Sequence, residues 1–138
     1  MKTSSDLTSA YGAAILRVAL GIVMVAHAAV KYFLYTLPGT ASYFAQHGFP
    51  GWTAYPVFLL EGIGGLVLVA GWRVRWISIL LVPVMIGASL ALAPNGWMFN
   101  APNGGWEFPA FLAFALTAQA FLGNGAFALG TTSSSRAT

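Results

Sequence analysis

No cysteine occurs in this chain, and that absence removes disulfides, thiol redox relays and thiolate-bound metals together. Charge is nearly as scarce: six Lys and Arg and three Asp and Glu serve 138 residues, or 7%, where a soluble domain carries roughly 25%. Too few charges remain to cover a water-facing surface, so a soluble globule and a disordered tail are both excluded. The period-two alternation of a membrane β-barrel is missing, and so is any internal repeat. The basic residues are scattered rather than clustered, which excludes a nucleic-acid-binding face. No Asn-x-Ser/Thr sequon and no nucleophile–His–acid triad can be drawn.

What is present is hydrocarbon. Hydrophobic residues make up 58% of the chain and the mean hydropathy is +0.76. Crossing a bilayer takes about 20 apolar residues per helix, and four runs qualify: residues 11–34, 55–71, 76–93 and 108–129. The expected fold is all-α, an integral-membrane four-helix bundle forming one transmembrane domain over residues 1–138. Nothing is left for a soluble catalytic domain. Ala26-His27-Ala28 mimics a signal-cleavage site, but Arg17 inside the apolar run and the lone Lys2 before it point to a retained helix.

An even number of spans places both termini on one side, with Lys2, Arg73, Arg75 and Arg136. The two longer loops, 35–54 and 94–106, carry only Lys31 at their border. The positive-inside rule then puts the termini in the cytoplasm and the longer loops outside; the membrane expected is a bacterial-type inner (cytoplasmic) one. Trp52, Trp72, Trp76, Trp97 and Trp106 all fall at span ends or in loops, the headgroup level that indole prefers. In the first outer loop Thr40 is a plausible N-cap for a short interfacial helix over ASYFAQH, stopped by Gly48 and Pro50. The second holds the turn signals Asn95-Gly96 and Asn103-Gly104, and a hairpin lid and a plain link both fit it. Ala14, Gly21 and Ala28 recur every seven residues and EGIGG brings three glycines to the second span, spacing that lets helix backbones approach closely in lipid. Pro83 should kink the third span, and Ser133–Ser135 mark a frayed tail.

Ionisable groups inside a membrane cost about 2.5–3.5 kcal/mol each and are paired or functional. At about 100° per residue, Arg17, His27 and Lys31 lie within an arc of about 80° on the first span. At about 1.5 Å per residue, Lys31 lies one turn and His27 two turns below the outer end, and Glu61 roughly 10 Å from the same side. With Glu107 opening the fourth span, four titratable groups converge on the outer half. Arg17 lies deeper, and Gln119, about 18 Å in from Glu107, matches it in depth, so the two are expected to meet. Two readings of the outer set stand side by side. In one, Lys31 neutralises Glu61 or reaches the headgroups, and His27 bonds a neighbouring helix, all to fix register. In the other, carboxylate, imidazole and ammonium form a proton-transfer site for a lipophilic substrate. A bis-histidine haem fails because His47 belongs to a loop. A metal site fails because His27, Glu61 and Glu107 have no ligand spacing.

In order, LRVALGIVMVAHAAVK, TASYFAQHGFPGW, EGIGGLVLVAGWRVRW, GGWEF and FLGNGAFAL resemble the DoxX family of small four-helix membrane proteins, over residues 16–129. The positions carried over are Arg17, His27, Lys31, Glu61, Arg75 and Glu107, the last preceded by Gly105. Gly130 departs from the pattern, since many relatives have Asp there. The family takes its name from membrane subunits resembling those of a thiosulfate:quinone oxidoreductase, and some relatives are associated with membrane oxidative-stress complexes. Joined to the polar set, the resemblance implies a quinone-linked subunit of a membrane oxidoreductase, with Glu61, His27 and Lys31 catalytic and Arg17, Glu107 and Gln119 contacting substrate. No haem, flavin or metal is expected in this chain, so electrons would come from a partner oxidoreductase subunit. The alternative is a non-enzymatic membrane anchor or assembly factor. A carrier is disfavoured by the lack of repeat symmetry. Faces of small residues also permit a homodimer.

Overall fold

The computed structural model describes residues 3–130; the topological charges Lys2 and Arg136 and the tail Ser133–Ser135 lie outside the described residues. Those residues form five α-helices: α1 (Ser4–Phe33), α2 (Leu37–Gln46), α3 (Ala54–Ala70), α4 (Val74–Leu92) and α5 (Glu107–Leu122). Single 3₁₀ turns precede α3 and follow α4. No strand occurs among the described residues.

α1 starts earlier than its apolar run because Thr3 and Asp6 form a reciprocal capping box, which satisfies backbone N–H groups left orphaned at the helix start. α1, α3 and α4 are long and apolar enough to cross a membrane, and α5 is a shorter apolar helix. Large apolar side chains such as Ile15, Ile22, Leu66 and Phe114 point outward. Helices that are apolar on both faces belong in lipid.

Packing joins α1 to α3 and α4 to α5 most extensively. The small-residue stripe sits where it was expected: Ala14 and Ala28 are buried and Gly21 faces Gly65. A Cβ added at Gly21 would lie 2.6 Å from the Gly65 carbonyl oxygen, and one at Gly65 would lie 2.7 Å from that of Gly21. Only glycine admits this approach. Behind it, Leu20, Met24, Leu68, Leu81, Met85, Leu112 and Leu116 fill the apolar core.

Two expectations change. The short helix begins at Leu37 with Thr36 as N-cap, accepting from the Gly39 N–H at 3.2 Å. Pro38, pre-set for a first helical turn, draws the start forward; Thr40 lies inside α2, buried, and donates its hydroxyl to the Thr36 carbonyl. The helix expected over 108–129 ends at Leu122, where Gly123-Asn124-Gly125 turns the chain back beneath the bundle. Pro83 lies within α4, which continues as one helix through Leu92. The second outer loop is closed at its neck, with Trp106 and Glu107 N–H groups donating to the Gly96 and Trp97 carbonyls and Trp97 edge-on to Trp106.

Candidate functional site

Of the two places open to the Lys31 ammonium, Glu61 and the headgroups, the structure shows Glu61. The ammonium donates to a Glu61 carboxylate oxygen at 2.7 Å, tying the last turn of α1 to the middle of α3, with the side chains 16% and 2% exposed. Glycines around Glu61 keep α3 thin and let α1 lie against it. His27, one turn deeper on α1, joins neither partner. Its Nδ1 is 2.8 Å from the Val23 carbonyl, which makes Nδ1 the donor. Its ring stacks on Phe108 of α5 at 5.9 Å between centroids. The imidazole therefore faces α5 while Lys31 reaches α3.

Glu107 stands apart from this pair. Its carboxylate accepts the Phe99 N–H at 2.8 Å, holding the loop between α4 and α5 on the first turn of α5. Beside it, Trp97, Phe99, Trp106, Phe108, Phe111 and Phe114 line a groove of about 670 Å³. Phe114 is 78% exposed, so the groove opens sideways toward lipid, and Phe108 forms part of its wall while also stacking on His27. In α2, burial and then Tyr35 push the Tyr43 phenol above its ordinary range.

Arg17 and Gln119 are both buried, at the opposite end of the core, yet they do not bond each other. Each instead holds the returning segment: Arg17 Nη2 donates to the Ala126 carbonyl at 3.2 Å, and Gln119 Nε2 to that of Gly123 at 2.8 Å. Non-helical backbone at membrane depth survives only where its polar groups find partners. Here the Ala126, Leu129 and Gly130 N–H groups donate to the Ala10, Ala70 and Gly71 carbonyls. Gly71, with φ +79°, leaves room for the Arg17 guanidinium that any side chain would displace. Arg17 Nε and Nη1, Gln119 Oε1 and Ser78 Oγ have no hydrogen-bond partner among the described residues.

The chain thus carries two polar levels separated by apolar core. Arg17 and His27 are ten residues apart on one helix, a rise of about 15 Å, and Leu20 and Met24 fill the interval. Residues 12–94 match the DoxX family model. The chain belongs to the DoxX family. Over 112 residues, 80% of this chain and 82% of the other, it is 30% identical to the Bacillus subtilis (strain 168) protein named "Putative oxidoreductase CatD". No solved structure matches it. In this DoxX membrane protein the returning segment, Gly123–Gly130, interrupts the apolar run at Asn124-Gly125, a turn signal. A Cβ at Gly130 would stand 3.5 Å from the Arg73 backbone nitrogen, so a side chain at this position would sit at the start of α4.

Replacing Arg17 by Met keeps the stem and removes the hold on Ala126. A hydrogen bond to a charged group contributes about 1.5–3 kcal/mol, so amides of 123–130 should exchange about tenfold faster or more while the bundle stays folded. Unchanged protection of that segment would show that Arg17 does not hold it.

Proposed function

We propose that this DoxX protein is a quinone-linked subunit of a membrane oxidoreductase system, its four apolar helices spanning the cytoplasmic membrane with both termini inside. The observation that carries the reading is the buried Lys31–Glu61 ion pair between α1 and α3, whose lysine lies one turn from His27 on α1. A carboxylate can take up and release a proton, and the ammonium beside it stabilises the ionised form that would otherwise stand alone in hydrocarbon. An imidazole close by can relay the proton.

The aromatic groove supports the same assignment. Its volume lies in the range of small-molecule sites, about 300–1,000 Å³, and its rings offer offset stacking to a flat headgroup that arrives from the lipid side. Phe108 stands between this groove and His27. Protons would enter from the outer face, because the core residues Leu20, Met24, Leu68 and Leu116 separate the pair from Arg17. Electrons would come from a partner oxidoreductase, since no flavin, haem or thiol motif occurs in this sequence. The name of the Bacillus subtilis relative agrees with redox work.

The test is mass spectrometry of organic extracts from protein purified in mild detergent. Wild type should carry quinone near one equivalent, and Glu61→Gln should carry much less. If wild type retains no more quinone than a control membrane protein, the quinone assignment falls.

A further inference from the structure

At the opposite end from the ion pair, Arg75 reaches from α4 to α5 and its Nε donates to the Ala120 carbonyl at 3.1 Å. That carbonyl is in the last turn of α5, where the helix has no further N–H to offer, so a cation there caps the helix and complements its dipole. The cap uses one guanidinium N–H. The others make no hydrogen bond to the described residues, and Arg75 is exposed. Neither glutamate is near it in the fold: Glu61 is held by Lys31 and Glu107 by the Phe99 N–H, both toward the other end of the bundle.

Below Arg75 runs a groove of about 400 Å³ between α4 and α5, walled by Ile79, Val82, Thr117, Ala120 and Phe121. Thr117 spends its hydroxyl on the Ala113 carbonyl, so the wall it offers is apolar. From Arg75 to Val82 the helix rises about 10 Å. Trp72 and Trp76, both more than half exposed, stand at the same level as Arg75, where indole marks the headgroup region, and Arg73 lies over Trp72 at 5.6 Å as a second cation.

We infer that this groove is a binding site for one anionic phospholipid, with the phosphate on the unspent N–H groups of Arg75 and an acyl chain along Ile79, Val82 and Phe121. Charge and shape both select it. A guanidinium fixed at one edge presents its other N–H groups as a fork that matches phosphate oxygens. A zwitterionic lipid brings its own cation to the same place and gains less. The site lies on the other end of the bundle from the proposed quinone groove, so the two assignments stand or fall separately.

The full chain, delipidated in mild detergent, should be titrated by native mass spectrometry with phosphatidylglycerol and with phosphatidylcholine of the same acyl chains. Wild type should bind phosphatidylglycerol about tenfold more tightly, and Arg75→Gln should erase that preference. Because Arg75→Gln also removes the cap of α5, a second variant is needed: Thr117→Phe fills the groove, leaves Arg75 in place, and should weaken both lipids. Equal affinity of wild type for the two lipids would overturn the proposal. So would a preference that survives Arg75→Gln, or phosphatidylglycerol binding untouched by Thr117→Phe. Complete displacement by inorganic phosphate would replace the lipid with a simple phosphate site.

Discussion

Gly65→Ala should destabilise the bundle by about 3 kcal/mol or more, at or above the upper end of ordinary overpacking. The added carbon would lie 2.7 Å from the Gly21 carbonyl oxygen and 2.9 Å from the Val25 backbone nitrogen. Both obstacles are main chain on a rigid helix, so no rotamer change relieves them. α1 must move away from α3, and with it the Lys31–Glu61 contact one turn farther along. Gly12→Ala is the matched control. Its Cβ would meet nothing within 4 Å, and exchanging glycine for alanine within a helix gains about 1 kcal/mol. Unfolding midpoints in a mixed-detergent titration compare the two directly. A Gly65→Ala protein as stable as wild type would mean that α1 and α3 are not locked at this crossing.

Gly65 also shows what the sequence made legible. Small residues every seven positions on one apolar run, facing a glycine-rich second run, have one physical use in lipid, and the α1–α3 contact is that use. Lys31 and Glu61 were readable for a related reason. The rise per residue places both groups within about two turns of the same end of the bundle, where a long lysine stem can reach a buried carboxylate, and burial in hydrocarbon favours that pairing. Arg17 and Gln119 matched in depth as well, but depth does not identify a partner. Backbone carbonyls of the returning segment compete for both side chains, and a carbonyl left unpaired at membrane depth costs as much as a side chain does. That segment was hidden because Phe121 to Leu129 is apolar enough to read as helix, while its Gly-Asn-Gly turn decides otherwise. Glu107 opens α5 as its place in the sequence implied, and its hydrogen-bond partner is what the sequence did not show. Its place at the start of a helix is also a place next to an irregular loop, and the Phe99 N–H claims it.

The Lys31–Glu61 pair separates the proton-handling reading from the anchor reading through a double substitution. Lys31→Met alone leaves the carboxylate of Glu61, 2% exposed, without its counter-charge, and stranding one member of a buried pair costs about 3–5 kcal/mol. Glu61→Leu alone should cost less, because Lys31 is nearer the outer end and its stem can carry the ammonium toward the headgroups. Replacing both removes the desolvation penalty together with the attraction, so Lys31→Met/Glu61→Leu should return close to wild-type stability. Unfolding midpoints of the four proteins read this cycle. In the same stable double variant the two functions part. Proton handling needs an ionisable carboxyl beside His27, so bound quinone should be lost although the bundle is intact. An anchor uses the pair only to set the register of α1 against α3, and an apolar contact in the same place sets it equally well. Full quinone retention by the folded double variant would therefore assign the pair to architecture, leaving His27 and the aromatic groove to account for any quinone that remains.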